Sequence, residues 1–138
     1  MFYEKELYHY VILHFPIALF ITGYTFDLFG YFKSNPMITK FAFWNLCLGI
    51  FWGILSIISG FITDELIGHM DEPFPLWTTH GTHMIVAVVL FISLLVIKIL
   101  NFKEIIRIPS ILILFFHTLI LMFFIHGAHI GAKLADRL

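Results

Sequence analysis

The sequence predicts an all-α protein, an integral-membrane up-down four-helix bundle, and three observations lead there. Only 12% of its residues are charged and 60% are hydrophobic. An average soluble domain carries about 25% charged residues, so this chain cannot cover an aqueous surface. The apolar residues gather into four runs, near 8–32, 41–65, 79–100 and 109–130, each close to the ~20 residues that span a bilayer as a helix. The breaks between the runs are short, which makes consecutive helices antiparallel neighbours, and lipid leaves the backbone no other way to satisfy its polar groups. Four spans consume the 138 residues, so 1–138 reads as a single transmembrane domain with no separate soluble catalytic domain.

The first helix follows Met1-Phe2-Tyr3-Glu4-Lys5-Glu6. That opening lacks a basic n-region, and no small-residue cleavage site follows the apolar run, so the segment is expected to stay in the mature protein. Pro16 removes the hydrogen bond to the Ile12 carbonyl and is expected to bend the helix beside His14. His14, Ala18, Thr22 and Thr25 recur at helical spacing as a narrow polar and small-residue stripe. Lys33-Ser34-Asn35-Pro36 ends this helix and starts the second. In the second helix Gly49, Gly53, Ser56 and Gly60 share a face; this is the spacing of close helix packing and equally of room for a flat macrocycle. Asp64 and Glu65 end it, as acids that orient a ligand histidine or as solvated helix-end charges. Asp71-Glu72-Pro73-Phe74-Pro75 breaks the chain before the third helix, where His80, His83 and Ala87 share a face. Asn101, Lys103, Glu104, Arg107 and Pro109 mark the last break, and Gly127 and Gly131 repeat the small-residue spacing in the fourth helix.

Antiparallel threading puts the N-terminus, the second loop and the C-terminus on one side, here side A, and the other two loops on side B. Side B holds Lys33, Lys40, Lys98, Lys103 and Arg107, whereas side A holds Lys5, Lys133 and Arg137 among many acids. Short loops rich in Lys and Arg stay cytoplasmic, so the expectation is a multi-pass protein of the inner (cytoplasmic) membrane with both termini periplasmic. A net charge of -1 offers no basic surface to nucleic acid.

The functional signal is the histidines, eight in number, as many as Lys and Arg together. His9, His14, His69, His80, His83, His126 and His129 all map to side A, and only His117 lies deeper. Intramembrane ionisable groups are costly and face partners in the bundle interior. Two imidazoles from different helices can bracket a haem iron. This makes His14, His80, His83, His126 and His129 the candidate cofactor-binding residues, with His14, His80, His83 and His126 as iron ligands. His14 with His83 or His80 is the leading pair. His80 and His83 share one face and cannot bracket the same iron, so one or two haem b groups are expected. Cys47 is the only cysteine, so no CxxCH attachment exists and any haem is held by coordination. For His9, His69 and His129, capping or titration at the wet interface is the plainer reading. A copper or zinc site is the competing reading, motivated by Met70 and Met84 following His69 and His83 and by the acidic second loop. A cofactor-free assembly subunit is the third. Asp27, about one turn from side B, is expected to pair with Lys33 or to reach the interface, and a proton-pathway role is the lesser reading.

The run His9-Tyr10-Val11-Ile12-Leu13-His14-Phe15-Pro16-Ile17-Ala18-Leu19 resembles the opening of a family of four-helix bacterial predicted membrane proteins, which begins with HP, a few apolar residues and then HFPIAL. The similarity extends to Asp27, to Gly60 with Asp64, and to a histidine starting the third helix. It departs at Tyr10, where the family has proline, and at Ile130-Gly131, where it has Gly-Gly. Members occur beside or fused to cytochrome c-like domains. The resemblance therefore implies electron transfer, with a cytochrome c-like redox partner or respiratory-complex subunits, in an electron-transfer subunit more than a self-contained enzyme. A quinone is a further expected partner, though no residue marks its site.

Overall fold

The computed structural model describes residues 2–67 and 80–134, and side chains over 7–63 and 80–133. It has four helices: α1 (Phe2–Lys33), α2 (Pro36–Ile67), α3 (His80–Phe102) and α4 (Ser110–Leu134). Their apolar spans are Leu7–Lys33, Pro36–Thr63, His80–Phe102 and Ser110–Lys133. At 1.5 Å per residue even the shortest reaches roughly 34 Å, enough for a hydrocarbon core of ~30 Å. The chain is thus a multi-pass membrane protein by length and composition, and α1 and α2 run past the apolar stretches that announce them. α1 continues as one helix through Pro16.

The side-B connections are capped tightly. Ser34 takes a left-handed φ of 47°, with Asn35 N–H donating to the Gly30 carbonyl at 3.1 Å and Ser34 N–H to Tyr31 at 3.3 Å. This is the paired 6→1 and 5→2 pattern that closes a helix C-terminus. Glu104, with φ 58°, repeats it at the end of α3, where Ile105 N–H reaches Leu100 O at 3.0 Å. Asn35 then starts α2, its side-chain oxygen accepting from Met37 N–H at 2.9 Å, with Pro36 in the first helical position.

Each helix packs on its sequence neighbours, and α4 closes back on α1, so α1 and α3 stand diagonally across the bundle, as do α2 and α4. Gly30 lets α1 and α2 meet closely, because a Cβ there would lie 2.7 Å from Thr39 Oγ1. The core is one cluster at mid-depth. Phe20 and Phe91 stack at 3.7 Å, and Phe124 stands edge-on to Phe20 at 5.1 Å. Gly49 and Gly53 seat this plug: Cβ atoms there would meet the Phe20 ring at 2.7 Å and Val88 Cγ2 at 3.0 Å. At Gly49 and Gly53 the close packing is realised, since core side chains fill both notches. The apolar plug separates two polar regions, one at each end of the bundle.

Candidate functional site

The side-A region is built around two imidazoles on diagonal helices. His9, on α1, places Nδ1 2.8 Å from Ser59 Oγ of α2. Ser59 has one hydroxyl hydrogen, and it goes to the Ser56 carbonyl at 2.9 Å. His9 Nδ1 must then be the donor, which leaves the lone pair on Nε2. His80, which opens α3, places Nδ1 2.8 Å from the Gly127 carbonyl of α4. A carbonyl only accepts, so here too Nδ1 carries the hydrogen and Nε2 the lone pair.

Glycines make room for both rings. A Cβ on Gly60 would stand 3.3 Å from His9 Cε1, and one on Gly131 only 2.5 Å from His80 Cε1 and Nδ1. The Gly127 and Gly131 pair, legible in the sequence as a small-residue repeat, therefore serves the helix 3 histidines. Gly131 takes the His80 ring, and a Cβ on Gly127 would meet His83 Cβ at 2.6 Å.

The other predicted ligands fall elsewhere. His83 is buried, stacked on Phe123 at 5.1 Å and edge-on to His126 at 5.6 Å. His126 and His129 are exposed on α4. His14 is also exposed, its Nδ1–H donating to the Tyr10 carbonyl at 2.5 Å. It borders an open apolar groove of about 410 Å³ with Phe15, Ala18, Leu19, Leu48 and Trp52. The stripe from His14 through Ala18 and Thr22 runs along the seam with α2, where Thr22 Oγ1 reaches Asn45 Oδ1 at 3.0 Å. Five residues separate His9 from His14, about 140° around a helix. Once His9 faces α2 and the interior, His14 faces out. His69 lies outside the described residues, as do the side chains of Asp64 and Glu65.

At the other end stands a site the sequence reading did not assemble. Asp27 of α1 pairs with Lys98 of α3 and with His117 of α4, whose Nδ1 lies 2.7 Å from Asp27 Oδ2. The expected Asp27 partner, Lys33, is instead exposed at the helix end. His117 is fully buried, with Tyr24 edge-on at 5.3 Å and Phe91 edge-on at 6.0 Å. The signal for this cluster was depth. Asp27, Lys98 and His117 lie within about two turns of the side-B ends of their helices, at roughly 6–11 Å. Sorting histidines alone concealed it, because His117 shares its level with a carboxylate and an amine.

Residues 8–138 match the DUF2231 family of predicted membrane proteins. The chain belongs to that family. Four apolar helices in an up-down bundle and the membrane assignment agree with the family's description as predicted membrane proteins. No curated protein and no solved structure matches the chain.

Proposed function

We propose that the protein relays electrons near the outer face of the inner membrane, with His9 and His80 as the residues that would hold one b-type haem. The observation that carries this reading is the matched pair of imidazoles on diagonal helices, each tethered through Nδ1 with Nε2 left as a lone pair. Bis-imidazole ligation asks for that donor set, one neutral ring from each of two helices. Gly60 and Gly131 add cradles under both rings. The haem would supply a one-electron couple. The chain's own contribution is orientation: Ser59 and the Gly127 carbonyl fix tautomer and ring plane and raise the basicity of Nε2. The Phe20, Phe91 and Phe124 plug keeps water from reaching this end through the bundle.

Relative to the leading pair read from sequence, His9 takes the place of His14, and His83 and His126 become wall residues. A bare zinc site asks for three or four ligands, and among the described residues no group of three or more His, Cys, Asp or Glu side chains converges. The redox partner, cytochrome c-like or a respiratory subunit, docks at side A. The exposed Lys33, Lys40, Lys103 and Arg107 at side B support a periplasmic side A. Lys98 no longer counts toward that charge bias, because it is consumed by Asp27.

The test is the visible spectrum of the purified protein before and after dithionite. A reduced b-type α-band is expected. It should be lost or converted to a high-spin spectrum in His9→Ala and in His80→Ala, while His14→Ala retains it. Full low-spin haem in His9→Ala, or no haem in the wild type, overturns the assignment.

A further inference from the structure

The side-B cluster has a property that a simple ion pair lacks. Asp27 Oδ2 accepts from both Lys98 Nζ and His117 Nδ1. The ammonium alone balances the carboxylate, so a neutral His117 leaves the set without net charge. His117 Nδ1 is then the donor, and Nε2 holds a lone pair. That Nε2 is buried and has no hydrogen-bond partner among the described residues. An orphaned buried polar atom costs free energy that an apolar side chain would avoid. The position therefore points to something that Nε2 receives.

We infer that Asp27, Lys98 and His117 form a proton-binding site loaded from side B, with His117 Nε2 as the atom that takes the proton. The proton leaves an acid in side-B water and bonds to the Nε2 lone pair. No other bond breaks, no electron moves, and the charge of the set rises by one. The resulting imidazolium is held by Asp27 through Nδ1–H, now a charge-assisted hydrogen bond. Side-chain exposure falls from 11% at Lys98 and 9% at Asp27 to 0% at His117. Access therefore runs from the side-B surface inward. Toward side A the ring meets Phe91 and the aromatic plug, and the neighbouring Tyr24 and Thr118 hydroxyls are engaged with each other and with the Leu114 carbonyl, not with Nε2.

All four helices border the site. α1 contributes Asp27 and Tyr24, whose hydroxyl lies 3.0 Å from Thr118 Oγ1. α3 contributes Lys98 and α4 contributes His117. On α2, Lys40 is exposed and Cys47 half-buried, and neither bonds into the cluster. Lys33, Lys103, Glu104 and Arg107 stay exposed at the bundle end.

The test uses the full chain labelled with 15N-histidine in lipid vesicles, with His117 assigned by difference from His117→Gln. Between about pH 8 and about pH 4, a range that brackets ordinary histidine titration, the unprotonated Nε2 signal should give way to imidazolium signals. Asp27→Asn should lower the proton affinity at least tenfold, moving the midpoint down by a pH unit or more. In vesicles of uniform orientation, acid applied to side B should trigger the change, and acid applied to side A should not. An Nε2 that stays unprotonated throughout, an unshifted midpoint in Asp27→Asn, or an equal response from side A overturns the inference. The wild-type titration and its sidedness decide the matter even if the variant misfolds. None of these readouts involves haem, so the result is independent of the His9 and His80 assignment.

Discussion

Deleting the positive partner of Asp27 exposes what holds the side-B half together. Lys98→Met preserves most of the apolar stem and removes the ammonium, leaving a carboxylate that is only 9% exposed with His117 as its one partner among the described residues. Breaking a buried pair from one side costs about 3–5 kcal/mol, because the surviving charge stays desolvated. Against a total stability of about 5–15 kcal/mol, this is a large share. Asp27→Asn should cost less, about 1–3 kcal/mol, the range for a buried polar partner left poorly satisfied. Lys98 lies on the last turn of α3, which ends at Phe102, and a freed lysine there can extend its head to the interface. The double variant Asp27→Asn/Lys98→Met strands no charge and should lose about 1 kcal/mol or less, so the coupling across the cycle is at least about 3 kcal/mol. Equilibrium unfolding at about pH 8, above ordinary histidine titration so that His117 does not replace the lost charge, in mixed micelles with increasing SDS and followed by far-UV circular dichroism, measures all four proteins. Additive losses, with the double variant as unstable as both singles combined, would refute the reasoning.

At side A, Gly131→Ala places a methyl 2.5 Å from the His80 ring. It should lower haem affinity about 10- to 100-fold by turning the ring off the Gly127 carbonyl. Gly53→Ala, whose Cβ meets Val88 Cγ2 at 3.0 Å, crowds the core without touching the ligands; equal haem loss in both variants would remove the cradle argument. Topology is checked by reporter fusions at the C-terminus: an enzyme active only in the periplasm should work there, and a cytoplasmic signal would invert the orientation.

Part of the candidate site was legible from spacing. His80, His83 and Ala87 share a face, and in the structure His83 and Ala87 are buried while His80 turns to Gly127 and Gly131. The choice between His9 and His14 was not legible. Their spacing says that the two point to different faces, but not which one points inward. Asp27 was read as an interfacial acid because its nearest lysine in sequence is Lys33. Its partners, Lys98 and His117, are 71 and 90 residues away.

The sequence by itself determined the solvent, the number of helices and their antiparallel order, because length, charge and short connections suffice for these. It also determined that His9, His14, His80, His83, His126 and His129 lie toward one end of the bundle, since depth follows from counting residues along a helix. Tertiary structure decided the rotation of each helix about its axis. In water an amphipathic face orients a helix, but these helices are mostly apolar, and burial of their apolar faces in lipid does not distinguish one face from another. The choice falls to close packing. Phe20 lies in the Gly49 notch and Gly30 meets Thr39. Those contacts turn His9 inward and His14 outward, and they carry Asp27 to Lys98 and His117.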